Sequence, residues 1–333
     1  MLNRREFTLG TLVALAAGSI SVMARAEGTK TIAVLMDSLV SPFWVTSLDT
    51  IRAKGKERGW TLLEGLSNLD DNKQFQQVQS MLQRKVDGII IVQTDSKAVI
   101  PAIRAANAAN VPMVHFNRPP ADSDAYSVAI QADNKAIMIS TVKWLVDFAK
   151  KRGGKYKAAI LIGDLGDQNA IARRDGFDEV VAANPDLIEV VARISTEWNA
   201  DKAFAGLTNA LQANPDINFL VTSSDFLHPQ IEQALKVAGK WKKRDEEGHV
   251  IFGSFDGDDG GYSRLADGYV DAVGVQDLFL EVDMAFNALV DEWAGKKPEK
   301  LLLDPGFVIT ADNMNDMRDK MWGYIVWNAA HPA

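Results

Sequence analysis

At 333 residues, 47% hydrophobic and 24% charged, the chain is long enough for two α/β lobes and is neither disordered nor fibrous in composition. A formal charge of −8 argues against a nucleic-acid partner. The absence of cysteine excludes disulfides, thiolate metal sites and Cys nucleophiles together, so stability must come from packing.

In chain order, residues 1–26 read as a targeting segment. Arg4 and Arg5 form a basic n-region, Leu9 to Met23 a modestly apolar run, and Ala24-Arg25-Ala26 a small-residue cleavage site. Paired arginines followed by x-Phe, with Gly, Thr and Ser diluting the apolar run, resemble a twin-arginine export signal, with an ordinary secretory signal as the alternative. The run is shorter than the ~20 apolar residues that a spanning helix needs. Cleavage there takes away three Arg and one Glu and leaves 33 basic against 43 acidic residues, a charge of −10.

From residue 31 onward, short β-branched runs alternate with amphipathic stretches of about 12–18 residues. The runs fall at 31–36, 60–65, 88–93 and 111–116, then at 158–163, 188–194, 218–223, 249–254 and 271–276. This βαβα order predicts two similar doubly wound parallel-sheet lobes. Pro42 marks one helix start, Asp95 and Ser96 precede a helix expected from Lys97, and Gly153-Gly154 ends one begun near Lys135.

Ligands of such sheets bind beyond the carboxyl ends of the strands. The residues there are Asp37 to Trp44, Thr94-Asp95, Asn117-Arg118, Asp164 to Asn169, Ser223 to Asp225, Asp256 and Gln276. Carboxylates, amides, hydroxyls, an arginine and exposed aromatics suit a polyhydroxylated ligand, with hydrogen bonds around a ring edge and flat apolar surfaces on its faces.

In order, the motifs SPFW (41–44), GIIIVQTDS (88–96), VPMVHFNR (111–118), ARRDGF (172–177), VTSSD (221–225), FGSFDG (252–257) and VGVQ (273–276) resemble the ribose-binding-like group of type I periplasmic binding proteins, the sugar-binding components of bacterial ABC importers. The resemblance spans residues 30 to about 310. It implies three segments crossing between the lobes, near Gln131 to Asn134, Gln276 and Asp304 to Phe307. The lobes would then comprise 27–131 plus 277–304 and 132–276 plus 305–333. It also implies that Phe43 and Trp44, with Trp198 from the second lobe, sandwich a sugar ring. Ser41, Asn117, Arg118, Asp256 and Gln276 would then contact its hydroxyls.

Three positions depart from that pattern. Asp37 stands where Ser is common, Ser224 where Asn is common, and Ile171 where some members carry a ligand-binding Arg. Asn169 is the nearest polar candidate to replace that Arg. Asn117 also replaces an acid, so a ligand other than ribose is expected.

Several features have plainer readings. Phe43 alone could be a packing device at a helix start, but adjacent rings cannot both point into one core direction. Asp37 could cap a turn. Asp256, Asp258 and Asp259 lack the spacing of a calcium loop. GDLGD at 163–167 lacks the Lys-Ser/Thr of a phosphate loop, and the four scattered histidines form neither a zinc site nor a Ser-His-Asp arrangement. No cofactor or metal is expected. The tail from 312 to 328 carries Met314, Met317, Met321 and Trp322 partly at helical spacing and is expected to pack on a lobe.

The resulting expectation is a monomeric periplasmic protein without enzymatic activity. It closes on a monosaccharide or polyol and delivers it to an ABC permease in the inner membrane. A sensor serving a chemoreceptor or histidine kinase, and an exported sugar-acting enzyme with Asp37 and Asp256 as its acid/base pair, are the alternatives.

Overall fold

The computed structural model describes residues 29–331, so the targeting segment expected over 1–26 lies outside the described residues. Five strands open the first sheet: β1 (Thr31–Met36), β2 (Thr61–Leu66), β3 (Gly88–Ile91), β4 (Met113–Phe116) and β5 (Val128–Ala132). Five more open the second: β6 (Tyr156–Ile162), β7 (Ile188–Ser195), β8 (Phe219–Thr222), β9 (Ile251–Asp256) and β10 (Ala272–Val275). Each sheet gains one strand near the C-terminus, β11 (Leu301–Asp304) beside β5 and β12 (Phe307–Thr310) beside β10.

The helices α1 (Pro42–Glu57), α2 (Asp71–Gln83) and α3 (Ile100–Ala108) connect strands of the first sheet. The chain enters the second sheet through α4 (Asn134–Arg152), whose strands are linked by α5 (Gln168–Ala182), α6 (Ala200–Ala213), α7 (His228–Val237) and α8 (Asp259–Ala266). Then α9 (Leu278–Trp293) returns to pack on β4 and β5, and the short α10 (Met314–Met317) and α11 (Trp322–Ala330) close the chain.

The two sheets repeat one topology. The first runs β11-β5-β4-β3-β1-β2 and the second β12-β10-β9-β8-β6-β7, parallel throughout except for β12, which is antiparallel to β10. In each, the crossovers reverse direction at the first strand, between β1 and β3 and between β6 and β8. The loops after those strands part there and leave a crevice.

The central strands are buried on both faces, as parallel strands covered by helices must be: Ile32, Ala33, Val34 and Leu35 of β1 have no exposed surface. That double burial explains the continuous apolar runs in the sequence. β5, β11 and β12 are absent from those runs: β11 and β12 are partly exposed edge strands, and β5 dilutes its apolar residues with Gln131 and two alanines. The helix expected from Lys97 begins at Ile100 instead. The Asp95 carboxylate accepts hydrogen bonds from the Lys97 and Ala98 amides and holds a turn there, and Pro101 fits the first helical turn because it has no N–H to satisfy.

Candidate ligand-binding cleft

The eleven residues singled out from the sequence, Asp37, Ser41, Phe43, Trp44, Asn117, Arg118, Asn169, Trp198, Ser224, Asp256 and Gln276, all line one cavity between the lobes. Its volume of about 400 Å³ lies within the range of small-molecule sites.

Local capping aims the loops. Ser41 caps α1 by accepting from the Phe43 amide at 3.2 Å, and Pro42 starts that helix with its φ already set. On the opposite lobe Asp167 caps α5, accepting from the Asn169 amide at 2.9 Å. The Ser41 hydroxyl oxygen is therefore already an acceptor within the protein, whatever else it meets in the cavity.

The aromatic walls differ in character. Phe43 is 3% exposed and lies among Trp44, Phe116 and Trp322, so most of its surface belongs to the core. Trp44 meets Phe43 edge-on, with centroids 5.0 Å apart, and carries the Arg118 guanidinium 5.0 Å from its ring. Across the cleft, Trp198 lies over Gly163, where an added Cβ would meet the indole at 2.1 Å. Its Nε1 donates to Asp167 at 3.2 Å. Phe226 stands 6.4 Å from it and adds a third aromatic face that sequence reasoning had not included.

Both cleft arginines are internally neutralised. Arg118 pairs with the fully buried Asp37 of its own lobe, and its Nε lies 3.2 Å from Asp167 of the other. Burial raises the Asp37 pKa although Arg118 pulls it down. Burial also opposes the charge on Arg118, but Asp37 and Asp167 outweigh it and raise that pKa.

The second arginine corrects the expectation at position 171. The guanidinium on the second-lobe side of the cavity belongs to Arg173, not to a substitute at Asn169. Arg173 donates to Asp256 at 2.9 Å, to the Ser223 carbonyl at 2.7 Å and to Asn134 at 2.7 Å, and its plane lies 3.9 Å from the centre of Phe255. Asn169 is occupied elsewhere, donating to Asn117 and accepting from Gln131 and Asn134. The signal was available: Arg173 lies one helical turn after Asn169 and within the quoted ARRDGF motif.

Asp256 accepts from Ser224, Arg173 and Gln276, and burial raises its pKa against the pull of Arg173 and Ser224. Its neighbour Asp258 instead caps α8 by accepting from the Gly261 amide at 2.7 Å, and Asp225 accepts from the Gly257 and Asp258 amides. These two acids hold the turn that presents Asp256.

Strained backbone gathers at the same place. Among the described residues, five of the eight non-glycine positions with positive φ line the cavity: Leu69, Asn117, Glu197, Trp198 and Asp256. Such conformations cost roughly 1–3 kcal/mol each and persist where surrounding contacts fix them, as functional clefts commonly require.

The sequence pattern of the periplasmic binding protein domain family matches residues 32–297. The chain is similar to the D-apiose import binding protein of Actinobacillus succinogenes, with 29% identity over 301 residues covering 88% of this chain and 92% of that protein. It is 30% identical over 269 residues to the ribose import binding protein of Salmonella typhimurium, covering 80% and 86%. Among solved structures, an ABC transporter solute binding protein from Mycobacterium smegmatis with bound glycerol matches at a TM-score of 0.78 and 25% identity, over 87% of this chain and 97% of that one.

Proposed function

The chain belongs to the periplasmic binding protein family, and from that membership we propose that it is the sugar-binding periplasmic component of an ABC importer, taking a monosaccharide or polyol in the cleft between its lobes. One observation carries the ligand class. The cavity pairs aromatic faces, Trp44 on one lobe and Trp198 on the other, with hydrogen-bonding groups in which each arginine is neutralised by a carboxylate of the protein. A neutral, polyhydroxylated ring meets both requirements: its C–H faces lie on the rings and its hydroxyls exchange hydrogen bonds with Asp37, Arg118, Arg173, Asp256 and Gln276.

The mechanism follows from where those groups sit. Asp37, Trp44 and Arg118 belong to the first lobe; Trp198, Arg173 and Asp256 belong to the second. A ligand touching both sets makes all its contacts only with the lobes closed, so binding shifts the population toward closure, the state a permease reads. The export route is the twin-arginine one and the compartment the periplasm. Catalysis is not needed: Asp37 and Asp256, the conceivable acid/base pair, are each engaged by an arginine.

Titration calorimetry of the chain from residue 27 onward against D-ribose, D-apiose, xylitol and related sugars tests the reading. Sub-millimolar binding of at least one supports it, and no binding by any of them overturns the ligand class. Loss of uptake of the bound sugar on deleting the gene separates transport from sensing.

A further inference from the structure

Six side chains at the floor of the cleft form a closed ring of hydrogen bonds, and that ring has a direction. Arg173 Nε donates to Asn134 Oδ1, Asn134 Nδ2 donates to Asn169 Oδ1 at 3.1 Å, and Asn169 Nδ2 donates to Asn117 Oδ1 at 2.9 Å. Asn117 Nδ2 then donates to Gln276 Oε1 at 2.8 Å, and Gln276 Nε2 donates to Asp256 Oδ1 at 2.8 Å, where Arg173 Nη1 closes the circuit. A guanidinium only donates and a carboxylate only accepts, so the four amides between them cannot choose their orientation independently. Asn117 directly follows β4 of the first sheet, and Asn134 opens α4 just after β5, so the ring joins groups from both lobes.

Glu281 stands behind this ring. It lies on the first turn of α9, has no exposed surface and does not line the cavity, yet its two carboxyl oxygens lie 2.9 and 3.2 Å from Asn117 Nδ2. Two acceptors, Gln276 and Glu281, thus hold the NH₂ end of Asn117 and leave Oδ1 for Asn169. We infer that Glu281 is a positioning residue for ligand binding: by accepting from Asn117 it sets the donor and acceptor direction of the cleft-floor ring, and so which ends of the ring's groups face the ligand.

The pairing makes the residue at 117 dependent on the one at 281. An aspartate at 117 would set a second carboxyl against the fully buried Glu281, where two like charges are strongly unfavourable. The other charged groups acting on Glu281 are Asp304 at the end of β11 and Asp277 at the start of its own helix, which add to the repulsion, and Arg173 of α5, which opposes it. Burial is the largest influence and raises the Glu281 pKa well above its ordinary value. An added carboxylate nearby would meet more resistance as pH rises.

This inference rests on the sugar-binding reading for its ligand, but its test does not. N117D and the double variant N117D/E281Q are compared with the parent protein by thermal unfolding at pH 5 and pH 8 without added sugar. Titration with the tightest-binding member of the D-ribose, D-apiose and xylitol panel follows. We expect N117D to lose unfolding temperature more at pH 8 than at pH 5, and to bind at least about tenfold more weakly at pH 8. The added E281Q should restore both, because its amide donates to the new carboxylate. If N117D does not fold and the double variant does, the coupling is supported; if neither folds, it is overturned. Equal losses in single and double variants at both pH values also overturn it, as does recovery of stability without recovery of affinity. If no sugar binds the parent protein, the ligand reading falls while the unfolding comparison still decides the Glu281 pairing.

Discussion

The Trp322 indole meets the Phe43 ring edge-on, 5.8 Å between centroids and 76° between planes, so the C-terminal segment on the second lobe touches the start of α1 on the other lobe. Trp322 is 1% exposed and its Nε1 donates to the Asp256 carbonyl at 2.9 Å, while Gly323 donates to the Gly257 carbonyl. The tail thus packs on the second lobe against α8 and also reaches across the cleft margin.

Removing that ring should be costly. Trp322→Ala is expected to destabilise by about 3–5 kcal/mol, the usual cost of emptying a buried aromatic site. Trp322→Phe keeps most of the packing and loses the indole hydrogen bond, for about 1 kcal/mol. Denaturant unfolding measures both, and a Phe variant as damaged as the Ala variant would show that the hydrogen bond, not the ring, dominates.

Trp44 lines the cavity and is 8% exposed. Trp44→Ala should weaken sugar binding by roughly 1–3 kcal/mol through lost apolar contact. Calorimetry against the sugar found to bind, run beside thermal unfolding, separates the two roles of this ring. Unchanged affinity with lowered stability would return Trp44 to the core.

Arg173 neutralises Asp256 and is itself 3% exposed. Arg173→Met leaves that carboxylate buried without its partner, and a loss of roughly 3–5 kcal/mol in unfolding free energy is expected. Arg173→Lys keeps the charge but cannot reproduce the fork that reaches Asn134, the Ser223 carbonyl and Asp256 together. Its affinity for the sugar should fall although its charge is unchanged, and equal affinity would remove Arg173 from the site.

Asp258 gives a pH dependence of definite sign. Burial pushes its pKa up to about 7, with Asp256 and Asp259 adding to the rise and the Gly261 amide and Arg264 opposing it. In the folded protein the group then holds a proton that the unfolded chain has already released near pH 4. Its contribution to stability is complete below about pH 4 and is lost as pH rises through about 7. Asp225, also raised by burial, acts in the same direction. Asp258→Asn can still cap α8, so unfolding measured from pH 4 to pH 8 should decline less steeply in that variant than in the parent. An unchanged slope would mean that Asp258 does not titrate in this range.

The sequence by itself determined the two sheets, since doubly buried strands must be written as continuous apolar runs and their covering helices as amphipathic ones. It also determined which loops reach the crevice, because in a parallel sheet every strand end of one kind lies on one edge, with Asp37 and Asn117 the next residues after such ends and Asp256 the last residue of its strand. What those side chains do there was decided only by tertiary structure. Arg173 sits in mid-helix, and its spacing from Asn169 marks the helix face it shares but not the group it meets; it is buried against Asp256, whereas Arg174 pairs with Asp175 near the surface. Glu281 reads in the sequence as an ordinary acid in a helix's first turn, and only the packing of α9 against the end of β4 brings it to Asn117. Partners 83 and 164 residues apart leave no periodic trace in the chain, because hydrophobic patterning records how much a residue is buried and not which group it meets.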